Sequence, residues 1–364
     1  MRASTTFALA SLIFAGTVAS AEVTRTLKAE LTDPTRPFRV ENLAGRMIVR
    51  QGSGAKVVVT ATVHGADQKT ADLLKLQEVR DAKTGLPTLR VIYPLADHTT
   101  YRYGRDNGSG GGGFFDKMFS GMSSNNMTYD GVRVSVSSGR GLELYADVVV
   151  EIPRGVTGTF RNAVGAIEGS GVDGTLKFDS SSGDIALSDF KGEVSADTGS
   201  GDVTASSGRG IFKCDTGSGD CMLNSFTGER IDLDTGSGDI NVTGASARFV
   251  SADTGSGSIE LEVDGAEDVE TDTGSGDVTL DLGGSKLSRI SADTGSGDVS
   301  LKLPRSIGFE MKTDVGSGDV SSDFDDATAI MQRRKVKGYR RGDLQVKIAV
   351  DTGSGDVSVG PGRF

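Results

Sequence analysis

Residues 197–203 read Asp-Thr-Gly-Ser-Gly-Asp-Val, and this string recurs with small changes through the second half of the chain. Its copies begin at Asp179, Asp197, Asp215, Asp234, Asp253, Asp272, Asp293, Asp314 and Asp351. Successive copies are 18, 18, 19, 19, 19, 21, 21 and 37 residues apart, and a degenerate copy begins at Arg161. One turn sequence repeated at a nearly constant period is typical of a solenoid.

Apolar residues stand at fixed positions on both sides of each turn. Three residues before the first Asp, all nine copies carry an apolar residue, such as Leu176 or Val194, and six residues after it stand residues such as Ile185 or Val203. The next alternate position is apolar in most copies, so each repeat contains two half-buried strands. Because so short a unit cannot bury its own apolar face, copies must stack. The sequence predicts an all-β fold, a parallel β-solenoid of about ten 18–21-residue coils. An antiparallel sandwich is the alternative.

The turn residues have a structural interpretation. Glycine accepts positive φ at no steric cost, so the glycine pair is expected to let each turn bend tightly. Asp, Thr and Ser side chains are expected to accept hydrogen bonds from backbone N–H groups of the turn.

Composition excludes several classes of protein. The chain has 364 residues with 52 Gly, 7 Pro, no Trp, two His and two Cys. There is no three-residue glycine period, which excludes collagen, and so much glycine disfavours a helical bundle. His64 and His98 lie outside the repeats with no Ser or Cys motif nearby. We therefore predict that the protein is not an enzyme and has no cofactor. A carbohydrate-active enzyme, the less favoured alternative, would need a carboxylate pair that breaks the repeat.

The chain divides into three predicted segments. Residues 1–21 have a positive start, an apolar stretch and Ala19-Ser20-Ala21 at their end, which indicates a signal peptide; a membrane anchor is the alternative, although the stretch is short for a span. Residues 22–159 form an N-terminal β-rich region with a flexible Gly-rich insert at 97–130. It is expected to hold one coil at 39–50, a helix at 70–82 and strands at 88–94, 132–137 and 142–152. Residues 160–364 form the solenoid, with a basic insert at 325–343. The protein is expected in the periplasm, at the cell surface or secreted, without a transmembrane segment.

Acidic residues of the repeat are expected to form two rows. The formal net charge is −11, and stacking aligns the carboxylates of equivalent residues about 5 Å apart, where they repel. Oxygen ligands of this kind suit calcium, which is an alternative interpretation of the rows. The same melting temperature in millimolar calcium and in chelator would exclude it. The candidate ligands are Asp197, Asp215, Asp234, Asp272 and Asp293 in the first row, which also contains Asp253, and Asp202, Asp220, Asp239, Asp277 and Asp298 in the second.

Two inserts are candidates for partner binding. Phe114, Phe115, Met118 and Phe119 have the spacing of one face of a short helix. This element either docks a partner or touches a membrane, or it covers an open edge of the solenoid. Arg333, Arg334, Lys335, Arg340 and Arg341 form a basic loop, which either binds an anionic glycan or lipid headgroup or is a solvated hairpin. Nucleic acid is not an expected partner of an exported protein, and the oligomeric state is open.

The two cysteines flank one turn. Cys214 and Cys221 occupy positions that hold apolar residues in most other coils, so both sulfurs are expected to point inward. The alternatives are a disulfide across the turn and two buried free thiols.

The segments Val40–Val49 and Val148–Val156, with Ile152-Pro153-Arg154-Gly155 before the first coil, and the Gly-Asp-Val coils that follow resemble a bacterial family of unknown function labelled putative adhesin. The resemblance covers roughly residues 35–360. It implies a β-solenoid in the cell envelope, no established enzyme activity and no catalytic residues to carry over. The sequence predicts an exported, non-catalytic solenoid that presents an acidic face for adhesion or envelope contacts; a calcium-binding scaffold is the first alternative.

Overall fold

The computed structural model describes residues 23–31, 33–81, 83–103 and 125–364. The predicted signal peptide and the apolar group Phe114, Phe115, Met118 and Phe119 lie outside the described residues. Within them, the regular secondary structure is β-strand apart from one four-residue helix. No described helix has the length and apolar character needed to cross a membrane.

The described residues of the first part of the chain form ten strands and the helix. Their bounds are β1 (Val23–Leu31), β2 (Phe38–Ala44), β3 (Met47–Gln51), β4 (Val57–Gly65), α1 (Gln68–Ala71), β5 (Lys75–Arg80), β6 (Pro87–Ile92), β7 (Thr100–Arg102), β8 (Asn125–Tyr129), β9 (Val132–Ser137) and β10 (Leu142–Ile152). The predicted strands at 132–137 and 142–152 are confirmed. The helix predicted at 70–82 is wrong: after α1 the chain extends into β5, because Leu76 and Val79 lie in an antiparallel ladder with β6.

The second part contains the repeats. Its strands are β11 (Val156–Val164), β12 (Ile167–Ser170), β13 (Asp173–Ser182), β14 (Ile185–Ser188), β15 (Lys191–Thr198), β16 (Val203–Ser206), β17 (Arg209–Thr216), β18 (Cys221–Asn224), β19 (Thr227–Thr235), β20 (Ile240–Thr254), β21 (Ile259–Asp264), β22 (Asp268–Thr273), β23 (Val278–Leu282), β24 (Arg289–Thr294), β25 (Val299–Leu303), β26 (Phe309–Val315), β27 (Val320–Ser322), β28 (Thr328–Gln332), β29 (Lys335–Arg341), β30 (Val346–Thr352) and β31 (Val357–Pro361).

Each repeat is one coil of a parallel β-solenoid, as the sequence predicts. The strand before the turn pairs with its equivalent one coil on, as β15 does with β17, and the strand after the turn does the same, as β16 does with β18. The register places identical positions side by side, so that Val194 lies beside Phe212. Their alternate residues point inward and fill one continuous apolar core.

The predicted isolated coil at 39–50 joins the same stack. Its strands β2 and β3 pair in parallel with β11 and β12, which lie more than 100 residues later. Residues between these two coils form an extension at that end. In the extension β10 pairs with β3, β4 is antiparallel to β10, and β1 is antiparallel to β4.

The last coil of the chain does not lie at the end of the stack. Strand β30 pairs with β24 on one side and with β26 on the other, and β31 lies between β25 and β27 in the same way. The coil at 346–361 is therefore inserted between two coils that precede it in sequence. The coil at 309–322 becomes the terminal one.

Hairpin β28–β29 covers part of that end. Strand β29 is antiparallel to β26 and so occupies backbone groups that a terminal parallel strand would leave open. Natural proteins protect sheet edges in this way because open edges pair with other chains.

Candidate functional site: the acidic face of the solenoid

The repeated threonine closes each turn. Thr235 is buried, and its hydroxyl donates a hydrogen bond to the carbonyl oxygen of Gly219 in the preceding coil at 2.8 Å. The same hydroxyl accepts one from the N–H of Gly238 at 3.1 Å. Equivalent pairs form at Thr216, Thr254, Thr273, Thr294 and Thr352. Each hydroxyl satisfies one acceptor and one donor that burial would otherwise leave unpaired.

The turns need glycine for a different reason from the one predicted. In the eight regular copies none of these glycines has a φ in the left-handed region. Instead, consecutive coils approach closely: a Cβ on Gly219 would lie 1.9 Å from the carbonyl oxygen of Gly201, and one on Gly238 equally close to that of Gly219. Close approach between backbones excludes any side chain there.

The second Asp of each turn forms a hydrogen-bonded row along the stack. The carboxylate of Asp202 accepts a bond from the N–H of Asp220 at 3.0 Å, and that of Asp220 accepts one from Asp239 at 2.8 Å. The pattern continues through Ser258, whose hydroxyl takes the place of a carboxylate, and through Asp277 and Asp298. This row thus joins coil to coil.

The first Asp of each turn forms the other row, and its middle part is unpaired. The register aligns six consecutive carboxylates, which we call the central row: Asp215, Asp234, Asp253, Asp272, Asp293 and Asp351. All six residues are exposed, and no described residue forms an ion pair or hydrogen bond with their carboxylates. At the ends of the row, Lys177 pairs with Asp197 at 2.7 Å and Lys337 pairs with Asp314 at 3.2 Å.

Burial and repulsion within the row raise the pKa of several of its carboxyl groups. Partial burial raises the pKa of Asp215, the carboxylates of Asp197 and Asp234 raise it further, and the charge of Lys177 opposes them in part. Burial and row neighbours likewise raise the pKa of Asp253 and Asp293. Neighbouring strands are about 4.8 Å apart, so the central row extends for about 24 Å. It is a line of negative charge whose carboxylates form no ion pair with any described residue.

A surface groove of about 470 Å³ lies at one end of the central row. Its lining includes Asp215, Asp234 and Asp253, with Lys213 and Ser251 beside them. Lys213 forms an ion pair with Glu193 at 3.0 Å. Carboxylates therefore dominate the free charge of the groove.

A disulfide lies beneath this groove. Cys214 and Cys221 are bonded to each other in the structure, and their residues are 3% and 1% exposed. The bond joins the two strands of one coil across the turn that begins with Asp215. Its closed loop is short, so its main effect is local, on the geometry of that turn.

Family comparison agrees with this architecture. The family model described as Toastrack DUF4097 matches residues 171–291 and 209–360, which together are more than half of the chain. The chain belongs to the Toastrack family. It is a domain of unknown function, so the match carries the fold and no activity.

Solved structures similar to this Toastrack protein share little sequence with it. A putative cell adhesion protein from Clostridium sporogenes is 9% identical, with 93% of this chain and 100% of that chain covered and a TM-score of 0.18. A putative lipid binding protein from Parabacteroides distasonis is 13% identical, with 92% and 96% covered and a TM-score of 0.43. A putative adhesin from Bacteroides fragilis is 12% identical, with 92% and 97% covered and a TM-score of 0.36. No curated protein matches the chain.

The structure places the predicted metal ligands of this Toastrack protein in rows rather than in clusters. Among the described residues, no group of three or more His, Cys, Asp or Glu side chains is arranged to hold a metal ion. Calcium binding stays a prediction. Sequence analysis missed Asp351 as a member of the first row, because its coil lies out of sequence order in the stack.

The predicted basic loop separates into two groups in the structure. Arg340 and Arg341 lie in β29 and are paired, with Glu310 and Asp326 respectively, each at 2.6 Å. Arg333, Arg334 and Lys335 lie at the exposed tip of hairpin β28–β29.

Proposed function

We propose that this Toastrack protein is a non-catalytic interaction scaffold of the cell envelope, which binds a basic protein surface along its acidic face. The observation that carries the proposal is the central row, six aligned and exposed carboxylates that form no ion pair with any described residue. A solenoid holds such a row rigid, so a partner with matching cations does not have to order it on binding. Complementary charge also speeds encounter between two proteins.

Regular spacing favours binding over catalysis. The carboxylates of the central row repeat at the strand spacing of about 4.8 Å, whereas a catalytic pair needs two carboxyl groups in different environments. The rest of each coil is accounted for by folding, since the threonines, the glycines and the second Asp all serve contacts between coils. The central row is the repeated element that the fold does not use.

The test is binding to synthetic oligolysine, measured by calorimetry at several salt concentrations. The variant D215N/D234N/D253N is expected to bind about tenfold more weakly than the parent, since an exposed ion pair contributes a few tenths to one kcal/mol. Binding by the parent is expected to weaken as salt rises.

A matched control removes the same charge elsewhere. Glu78, Glu260 and Asp325 are exposed and lie outside the central row, so E78Q/E260Q/D325N is expected to bind oligolysine like the parent. Equal weakening by both variants would show that only net charge matters, and the proposed role of the row would be wrong.

Location in the envelope needs a separate experiment. Protease treatment of intact cells is expected to degrade the protein if its partner lies outside the cell. A protein that stays protected cannot be an adhesin, and the scaffold would then act in the periplasm.

A further inference from the structure

The tip of hairpin β28–β29 has an unusual backbone. Gln332 pairs with Lys335, so Arg333 and Arg334 form a two-residue turn, with φ angles of 49° and 69°. Such turns need positive φ at both residues and strongly favour Asn-Gly. Arginine is strained in this conformation. Because the chain keeps two arginines where Asn-Gly would avoid the strain, the turn is a starting point for a functional hypothesis.

The cations of the hairpin differ in their pairing. Those near its base are neutralised: Lys337 by Asp314, and Arg340 and Arg341 by Glu310 and Asp326. No described residue forms an ion pair or hydrogen bond with the side chains of Arg333, Arg334 or Lys335, which we call the basic tip. Three adjacent positive charges therefore project from the end of an acidic protein.

An apolar pair lies directly behind the basic tip. Met331 is opposite Val336 in the hairpin, and it is 58% exposed, the most exposed large apolar residue in the described part of the chain. An exposed apolar group beside cations suits the interface of a bilayer, where the apolar group enters the acyl boundary and the cations meet the headgroups. A soluble polyanion offers no apolar surface that Met331 could contact.

We propose that the basic tip, with Met331, docks onto the surface of an anionic phospholipid bilayer. The end of the stack that carries hairpin β28–β29 would then contact the membrane. Glu310 and Asp326 pair with Arg340 and Arg341, which lie five and six residues along β29 from Lys335 and hence roughly 17–20 Å from it. This distance exceeds the screening length of about 8 Å at physiological salt. Asp314 lies nearer the tip, and its charge is paired with Lys337.

The test is co-sedimentation of the full chain with vesicles of phosphatidylcholine alone, and with an equal mixture of phosphatidylcholine and phosphatidylglycerol. The variant R333N/R334G/K335Q removes the three charges and supplies the preferred turn residues, so its melting temperature should not fall. Its partition onto the anionic vesicles is expected to be about 100-fold weaker, since each basic residue near such a surface contributes about 1 kcal/mol.

Two further variants separate charge from apolar contact. Lys191, Arg209 and Lys302 are exposed cations elsewhere on the chain, and K191Q/R209Q/K302Q is expected to bind the anionic vesicles like the parent. M331S is expected to weaken vesicle binding several-fold and to leave retention on inorganic polyphosphate unchanged.

Three results would overturn the proposal. They are equal vesicle binding by the basic-tip variant and the parent, equal binding of the parent to neutral and anionic vesicles, and retention on polyphosphate without vesicle binding. The outcome is independent of the acidic face, because D215N/D234N/D253N keeps the basic tip and should still bind the anionic vesicles.

Discussion

At the scale of single residues, the glycines of the turns are set by contact between coils. The Cβ of an alanine at position 238 would lie 1.9 Å from the carbonyl oxygen of Gly219, so the backbone of at least one coil must shift. We expect Gly238→Ala to lower the free energy of unfolding by about 1–3 kcal/mol, the usual cost of overpacking. Urea denaturation measures this change in the free energy of unfolding.

Gly54→Ala is the matched control. A Cβ added to Gly54 would meet no heavy atom within 4 Å, and the φ of Gly54 is outside the left-handed region, so alanine there should leave stability unchanged or slightly higher. Equal losses at the two positions would mean that the close approach of coils is not what excludes a side chain at Gly238.

The two aspartates of one turn have the same chemistry and different roles. The carboxylate of Asp220 accepts a backbone hydrogen bond from the next coil, whereas that of Asp215 belongs to the unpaired central row. The sequence pattern predicts both rows equally well, because it reports only which residues align. The direction of each carboxylate, which decides between a structural bond and a free charge, depends on the path of the turn.

At the scale of elements, the end of the stack depends on hairpin β28–β29. We expect replacement of residues 329–339 by Asn-Gly to uncover the edge of β26 while Thr328 and Arg340 stay opposite each other, as they are now. An open parallel edge pairs with other chains. The shortened protein should therefore form dimers or larger species, which size exclusion with light scattering detects.

The basic-tip variant R333N/R334G/K335Q is the control for this deletion, since it changes the tip and keeps the cover. It should elute like the parent. A shortened protein that stays in the same oligomeric state as the parent would show that β29 is not needed to protect the edge.

Coils and their strands follow from the sequence, and their order in the stack does not. Inward residues such as Val194, Phe212 and Ile231 define the period directly. The period alone does not place the coil at 346–361, whose turn has the same sequence as that of the coil before β26. The terminal coil differs only in detail, with Val315 in place of the turn threonine and Ser322 where most copies are apolar. Tertiary contacts, and not the period, decide the insertion of the coil at 346–361 between β24 and β26. They also decide the extended path of Leu76 and Val79, where pairing with β6 overrides a helical spacing.

At the scale of the whole molecule, stacking turns a repeated residue into a continuous field. The central row has the repeat of the backbone, so the fold that buries the apolar core also forces its carboxylates together. Neighbouring unit charges at this separation repel by about 1 kcal/mol in water. The charge that suits the protein for a basic partner therefore opposes its own folding.

This opposition predicts an unusual dependence of stability on pH. Partial burial and row neighbours raise the pKa of Asp215, Asp253 and Asp293 in the folded state. The folded chain then binds protons at these groups more tightly than the unfolded chain, whose aspartates titrate near about 3.9. Their contribution is least favourable at neutral pH and improves as pH falls through the folded pKa values.

Other carboxylates act in the opposite direction at lower pH. Hydrogen bonds from Thr84 lower the pKa of Asp81 to about 2, and bonds from Lys347 and Arg340 lower that of Glu310. Because these groups are more acidic in the folded state, their stabilising effect is present at neutral pH. It is lost as pH falls below the values of the unfolded chain.

We therefore expect the melting temperature of the parent to rise on mild acidification from pH 7 and to fall only below about pH 4. D215N/D253N/D293N should melt higher than the parent at neutral pH and show a smaller rise, because the repulsion is already gone while burial still raises the pKa of Asp179 and Asp184. E78Q/E260Q/D325N, with the same change in charge, should keep the rise. Calorimetry of the three proteins across this pH range tests this prediction: a row variant that melts no higher than the parent at neutral pH, or that shows the full rise of the parent, would mean that the central row is compensated in solution.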